Sequence, residues 1–194
     1  EALERINSNL LLGESLRAQD GEDNGVRLVD LNRDGFTDVI VGNGRIRMTR
    51  IWNATNGRWT ETSFPTQIVA PDPDGKHRDR GLKFGSIGPG HEVEVFFRDE
   101  QAKGAWHFDG ASWREDPDFF SGLSLKGQPL LTVENHHDRG VRLRDVDHDG
   151  RCELLVGNES QNAVFAWEET ERRWKKLSYG LPEANSIVDA AGED

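Results

Sequence analysis

Two acidic stretches, Asp30–Asp38 (DLNRDGFTD) and Asp145–Glu153 (DVDHDGRCE), share one pattern and decide how the rest of the chain is interpreted. Each carries carboxylate or amide side chains at positions 1, 3, 5 and 9, with a glycine at position 6. Alternating oxygen ligands in a tight loop suit calcium, a hard cation that takes six to eight oxygens. The glycine permits the sharp turn. The pattern therefore predicts one calcium ion in each stretch.

The stretches belong to an internal repeat of about 57 residues, the length scale typical of repeat architectures. Three segments align without gaps, namely 25–43 (GVRLVDLNRDGFTDVIVGN), 81–99 (GLKFGSIGPGHEVEVFFRD) and 140–158 (GVRLRDVDHDGRCELLVGN). An aspartate stands two positions before each leading glycine, and Asp194 falls at the next expected position. The six tryptophans form three pairs, each seven residues apart: Trp52/Trp59, Trp106/Trp113 and Trp167/Trp174. Core packing is the simpler interpretation of these pairs, and ligand stacking is the alternative.

The local signals within a repeat are those of four short β-strands. Short β-branched runs alternate with turn residues, and Asn56-Gly57 predicts a type I′ hairpin turn. Four antiparallel strands per repeat, with no helical period of similar strength, predict all-β blades of a propeller. The predicted divisions are a connector or remnant of a preceding blade (1–24), a calcium-binding blade (25–80), a blade with a degenerate loop (81–139) and a second calcium-binding blade (140–194).

The predicted calcium ligands are the side chains of positions 1, 3, 5 and 9 and the backbone carbonyl of position 7. They are Asp30, Asn32, Asp34, Phe36 and Asp38 in the first repeat, and Asp145, Asp147, Asp149, Arg151 and Glu153 in the third. An EF-hand is excluded, because its position-12 glutamate is replaced by valine and both flanks are β. A plain acidic turn is the weaker alternative, since the carboxylates would repel one another without a cation. The second repeat has Ser86, Gly88, Gly90 and Glu94 at the side-chain positions, which predicts no calcium there.

The pattern D-x-[DN]-x-D-G-x-x-[DE] between short strands, followed by apolar residues and Gly-Asn, resembles the FG-GAP/VCBS repeat family. That resemblance implies calcium-bearing propeller blades like those of integrin α-subunits, with calcium ligation at the eight side chains named above. Propellers of this family usually have about seven blades. We therefore expect a segment of a larger propeller, whose partners are other blades or chains of the same propeller.

The net charge and the absence of common sequence motifs argue against several classes of function. A net charge of −11 offers no basic surplus for nucleic acid, and no apolar stretch approaches the ~20 residues of a membrane span. Common hydrolase, phosphate-binding and haem motifs are absent, and Cys152 is a single cysteine. His77 and the His136-His137 pair are interpreted as solvated loop residues rather than metal ligands or acid–base groups.

The expected function is a non-catalytic, calcium-stabilised interaction module of a larger secreted or surface protein, binding a protein or glycan ligand. The alternative is a lectin-like propeller, or the propeller part of a polysaccharide-active or redox enzyme. Calcium sites of this kind favour an extracellular, periplasmic or cell-surface location. Cations at one position of each repeat are predicted either to pair with the aspartates before the leading glycines or to line a ligand channel; they are Arg27, Lys83 and Arg142.

Overall fold

The structure is a computed structural model that describes residues 10, 11, 13–71, 75–88, 90, 92–182, 186–189 and 191–193. Antiparallel sheets dominate these residues, and the prediction of an all-β chain is confirmed. The chain forms two compact units, one of Glu1–Arg80 with Gly110–Trp113 and one of Gly81–Asp109 with Arg114–Asp194. In the described part of the chain, no helix has the length and apolar character needed to cross a membrane. Asp194, predicted to open a further repeat, lies outside the described residues.

Each predicted repeat contains one four-stranded antiparallel sheet in which strands adjacent in sequence are paired. The first sheet consists of β1 (Val26–Val29), β2 (Asp38–Gly42), β3 (Arg47–Asn53) and β4 (Arg58–Ser63). After the hairpin of β5 (Val69–Pro71) and β6 (His77–Asp79), the second sheet consists of β7 (Lys83–Ser86), β8 (Val93–Arg98), β9 (Lys103–Phe108) and β10 (Trp113–Glu115). Two more hairpins follow, β11 (Ser124–Leu125) with β12 (Gln128–Pro129) and β13 (Val133–Glu134) with β14 (His137–Asp138). The third sheet consists of β15 (Val141–Arg144), β16 (Glu153–Gly157), β17 (Asn162–Glu168) and β18 (Arg173–Lys176).

The second strand of each sheet is the most deeply buried, because its β-branched and aliphatic residues pack on both faces of the sheet. In β2, Val39, Ile40 and Val41 are completely buried. The larger apolar cluster lies in the second unit and includes Leu143, Leu154 and other residues of β15–β18 together with aromatic residues. Burial of this strand fixes the position of the acidic loop that precedes it.

The glycine that opens each repeat adopts a conformation that other residues avoid. Gly25, Gly81 and Gly140 have φ of 68°, 72° and 65°, in the left-handed region where side chains are strained. A Cβ on Gly25 would lie 2.5 Å from the carbonyl oxygen of Gly42, and one on Gly140 would clash with the carbonyl oxygen of Gly157. Backbone approach between the first and second strands therefore accounts for this glycine in the first and third repeats, whereas a Cβ on Gly81 would lie 2.9 Å from Thr132 Oγ1 and Val133 Cβ.

The cations predicted to pair with the repeat aspartates do so. Arg27 Nη2 lies 2.7 Å from Asp23 Oδ2 and 3.3 Å from Asp79 Oδ2. Lys83 Nζ lies 2.6 Å from Asp138 Oδ2, and Arg142 also bonds to that carboxylate. The Arg27–Asp79 and Lys83–Asp138 contacts each join a first strand to the aspartate two positions before the next leading glycine.

The prediction of a type I′ turn at Asn56-Gly57 is wrong. A type I′ turn needs positive φ at both central residues, but only Gly57 has it, at 65°. A four-residue loop joins the paired residues Asn53 and Arg58, and it closes with a 2.9 Å bond from Gly57 N to Asn53 O. The Asn53 side chain accepts from the backbone N–H groups of Thr55 and Asn56, which holds Asn56 at negative φ.

Two-residue turns with positive φ at both positions occur instead in the segment before the third sheet. Lys126 and Gly127 have φ of 51° and 78° and join β11 to β12. Asn135 and His136 have φ of 49° and 67° and join β13 to β14. The connector is therefore folded into short hairpins.

The tryptophan pairs are not equivalent in register. Trp52 lies directly opposite Trp59, and Trp167 opposite Trp174. Trp106 lies opposite Val95, whereas the corresponding positions of the other sheets place Arg50 opposite Val39 and Phe165 opposite Leu154. The constant spacing within pairs therefore conceals a two-residue shift of the middle pair. Burial also differs, since Trp174 is 2% exposed while the other five are half-buried.

Candidate metal centre

The turn between β15 and β16 gathers three carboxylates. Asp145, Asp147 and Asp149 each place a carboxylate oxygen within 4.8 Å of the others. Asp145 is half-buried, and the other two are exposed. Oxygens from alternating residues of one loop are the ligands that hard divalent cations prefer. Three of the four predicted side-chain ligands of this loop are thus brought together.

Local hydrogen bonds shape this loop. Asp145 accepts from the backbone N–H of Asp149 at 3.1 Å and from that of Gly150 at 2.9 Å. The chain reverses through His148, with φ of 63°, and Gly150, with φ of 88°. Aspartate side chains favour turns by bonding to backbone N–H groups a few residues ahead. The acidic residues therefore build the turn as well as presenting oxygens within it.

The first repeat has the same loop geometry. Asp30 accepts from the N–H groups of Asp34 and Gly35 at 3.1 and 2.9 Å, and left-handed residues again stand at positions 4 and 6, with φ of 57° at Arg33 and 86° at Gly35. Asn32 replaces the second aspartate, and its Nδ2 donates to Asp34 Oδ2 at 3.0 Å. The first loop therefore has one formal negative charge fewer than the third at these three positions.

The position-9 acids lie behind the loops and hold backbone groups. Asp38 is completely buried and accepts from Leu31 N at 2.9 Å and Trp52 N at 2.8 Å. Glu153 accepts from Val146 N at 3.0 Å, and it is not among the three grouped carboxylates. Burial raises the pKa of Asp38, and the charges of Asp34 and Asp30 add to the rise. Metal ligation by these two acids stays a prediction. Their contacts show that they cap backbone N–H groups.

Burial also raises the pKa of Glu153, and the charges of Asp147 and Asp149 add to the rise. A nearby cation would favour the ionised form of such a carboxylate and so lower its pKa. The position-9 acids are thus electrostatically coupled to the loop carboxylates, although backbone groups occupy part of their hydrogen-bonding capacity.

The residues at position 7 distinguish the two loops electrostatically. Arg151 Nε lies 3.0 Å from Asp149 Oδ2, so the third loop carries an internal counter-charge. The bond and charge of Asp149 raise the pKa of Arg151. Phe36 stands at the equivalent position of the first loop and is 47% exposed. A cation that binds the third loop therefore competes with the Arg151 guanidinium for Asp149, and in the first loop it meets no such competitor from position 7.

The turn of the second repeat keeps only the capping acid at position 9, Glu94. Glu94 Oε2 accepts from Ile87 N at 2.8 Å and Oε1 from Gly88 N at 3.3 Å. Ser86 Oγ, at position 1, donates to the carbonyl oxygen of Glu92 at 3.1 Å. Glycines at positions 3 and 5 supply no side-chain oxygen. The turn therefore keeps its capping acid while lacking the side chains that form the carboxylate group of the third loop.

No protein-family model matches the sequence, and no curated protein shows significant similarity to it. The function must therefore be argued from the loops and their surroundings. Sequence reasoning identified all three grouped carboxylates, since they lie within five consecutive residues. It did not identify the surroundings of Glu94, where residues from distant parts of the chain converge, and no local signal in the sequence predicts that convergence.

Proposed function

We propose that the chain is a calcium-stabilised, non-catalytic segment of a β-propeller of the FG-GAP/VCBS type, serving as an interaction module of a larger secreted or surface protein. The observation that carries this proposal is the grouping of Asp145, Asp147 and Asp149 within 4.8 Å at the first turn of a four-stranded sheet. The matching loop in the first repeat supports a second site. Bound calcium would neutralise carboxylates that otherwise repel one another.

The sheet topology supports the propeller part of this proposal. Propeller blades are four-stranded antiparallel sheets repeated along the chain, and each of the three sheets here pairs its strands in sequence order. Ion pairs from the inner strand of one repeat to the aspartate that opens the next would join neighbouring blades. A calcium role in structure rather than chemistry agrees with an extracellular, periplasmic or cell-surface location.

Calcium titration tests the proposal directly. Isothermal titration should give two sites per chain, with one site left in Asp145→Asn and two in the matched control Asp118→Asn, an exposed acid outside both loops. At 100 times the dissociation constant, one site adds about 2.7 kcal/mol to the free energy of unfolding. For a chain of this size that corresponds to a rise in melting temperature of about 5–10 °C. Equal melting temperatures in calcium and in chelator would refute a structural role for calcium.

One observation favours the carbohydrate-binding alternative. A cavity of about 420 Å³ in the first unit is lined by Trp52 and Phe36 and by the polar side chains of Asn53, Thr55 and Thr60. Aromatic faces combined with a few placed polar groups are typical of small-ligand sites. A glycan-binding screen of the wild-type chain and of Trp52→Ala would decide between this alternative and a protein-binding module, because sugar binding at this cavity should be lost in the variant.

A further inference from the structure

A second cavity, of about 320 Å³, lies within the second unit where the second repeat lacks its loop side chains. Gly88 and Gly90 form part of its wall, together with Glu94 from β8. Trp167 and Arg172, more than 70 residues away in sequence, close it from the third repeat. Its volume lies at the lower end of the range for small-molecule sites. The cavity therefore admits a small ligand.

Glu94 is one of the carboxylates that line this cavity. It lies opposite His107 in the β8–β9 register, and its two oxygens accept from Ile87 N and Gly88 N. Burial raises the pKa of Glu94 to about 7, and the charge of Glu92 adds to the rise. A ligand that carries a positive charge would favour the ionised form of this carboxylate.

The other charged groups of the cavity leave it negative. Its walls include four carboxylates, those of Glu92, Glu94, Asp116 and Glu169, and one guanidinium, that of Arg172. Arg172 Nη2 already bonds to both oxygens of Asp116, at 3.1 and 3.0 Å. His107 is the remaining ionisable group among the lining residues. An anionic ligand would therefore be repelled, whereas a cation would be attracted.

Trp167 gives the cavity an aromatic wall. Its ring is half-buried and stacks on Phe119, with centroids 6.2 Å apart and planes inclined by 20°. Its Nε1 donates to Glu169 Oε2 at 2.9 Å, which fixes the indole in place. The face of an indole ring attracts ammonium and guanidinium groups, and it also packs against their alkyl chains. Aromatic and carboxylate groups thus line the same cavity.

We propose that this cavity binds a small organic cation, an alkylammonium or guanidinium group, with Glu94 as its ionic partner and Trp167 as its aromatic contact. The site is separate from the two calcium loops and does not depend on the proposed calcium binding. Its cation is supplied either by a free amine or by a lysine or arginine side chain of a partner protein.

Binding of n-butylammonium, measured by isothermal titration in chelator, tests this proposal. The probe stays charged at pH 6 and pH 8, because simple amines titrate near pH 10. A pKa of about 7 for Glu94 makes the carboxylate mostly protonated at the lower pH and mostly ionised at the higher one. Affinity should therefore rise by up to about tenfold from pH 6 to pH 8. The uncharged probe 1-butanol and the anion butyrate should bind much more weakly or not at all.

Glu94→Gln separates the role of this carboxylate from that of the other charged groups of the cavity. The variant should bind n-butylammonium at least fivefold more weakly and should lose most of the pH dependence. Glu115→Gln is the matched control, since it removes the same charge from an exposed position of the same sheet and should bind like wild type. Circular dichroism establishes that both variants are folded.

Lysine with blocked amino and carboxyl ends distinguishes the two sources of the cation. Binding as tight as that of n-butylammonium assigns the cavity to a side chain of a partner protein, and weaker binding assigns it to a free amine. The proposal is overturned if 1-butanol binds as well as n-butylammonium, or if wild-type affinity is the same at pH 6 and pH 8. The second result is measured on the wild-type chain, so it tests the proposal even if Glu94→Gln does not fold.

Discussion

The ion pairs of Asp138 with Lys83 and Arg142 are more enclosed than the pair of Asp79 with Arg27. Removal of the Asp138 charge should therefore lower the free energy of unfolding. Lys83 Nζ lies 2.6 Å and Arg142 Nη1 2.9 Å from its carboxylate, and the Lys83, Asp138 and Arg142 side chains are 13%, 28% and 20% exposed. Asp138→Asn keeps the acceptor for Gly140 N–H, at 2.6 Å, but removes the negative charge that Lys83 and Arg142 share.

The expected loss lies between two limits. Exposed ion pairs contribute about 0–1 kcal/mol, and breaking a fully buried pair costs about 3–5 kcal/mol. With the side chains around Asp138 mostly but not fully enclosed, we expect Asp138→Asn to lower the free energy of unfolding by about 2–3 kcal/mol. A double-mutant cycle with Lys83→Met should give a coupling energy of about 1–2 kcal/mol.

Urea denaturation at pH 7, followed by circular dichroism, measures these energies, and Glu171→Gln is the control. The Glu171–Arg173 pair is equally short, at 2.6 Å, but its side chains are 56% and 53% exposed, so its loss should cost below about 1 kcal/mol. Equal losses for Asp138→Asn and Glu171→Gln would refute the reasoning, because burial would then have no effect.

The pH dependence of the Asp138 contribution has a definite sign. Burial acts to raise the pKa of Asp138, but the charge and hydrogen bonds of Lys83 and Arg142 outweigh it and lower the pKa below 3.8. A carboxylate whose pKa is lower in the folded state stabilises the fold above its unfolded pKa, and this contribution is lost as the pH falls through the folded pKa. The difference between wild type and Asp138→Asn should therefore shrink only below about pH 4.

Two further variants test the third loop and the core. Arg151→Ala should tighten calcium binding by about 1.4- to fivefold, because an exposed pair of about 0.2–1 kcal/mol no longer competes for Asp149. Calorimetry of the exposed control Arg173→Ala should show little change, and weaker binding by Arg151→Ala would contradict the competition. Gly85→Ala should cost about 1–3 kcal/mol in a urea melt, since its new Cβ would lie 2.6 Å from Leu143 Cδ1. Leu143→Ala removes the contacts with Cδ1 and Cγ but keeps the one with Cβ at 2.8 Å. The double variant should therefore lose less than the sum of the two single losses, and strictly additive losses would show that the Cδ1 and Cγ contacts are not the cause.

The acidic loops were accessible to sequence reasoning because their determinants are local. Asp30 and Asp145 bond to N–H groups four and five residues ahead, so the pattern and the turn occupy the same short stretch. The strands around the loops were predictable for the same reason, since a short apolar run followed by a turn residue forms each of them.

Register and turn type depend on interactions that the local pattern does not contain. The constant seven-residue spacing of the tryptophans gave no sign that Trp106 lies opposite Val95, because cross-strand pairing and not spacing sets register. The Asn-Gly pair at 56–57 suggested a type I′ turn, but the Asn53 side chain stabilises a longer loop. The cavity at Glu94 was beyond prediction, since Trp167 reaches it only after the third sheet has folded against the second repeat.

The sequential pairing of strands has a consequence for synthesis of the chain. Every strand of the three larger sheets pairs only with a strand next to it in sequence, so completing a sheet requires no segment from far along the chain. Contacts of short sequence separation form quickly, and domains generally fold from the N-terminal end as they emerge from the ribosome. The first sheet, complete at Ser63, can thus form its hydrogen bonds before Val141 of the third sheet has been translated. The inner strands of a nascent chain would then wait only a short time for their partners, which limits aggregation during translation.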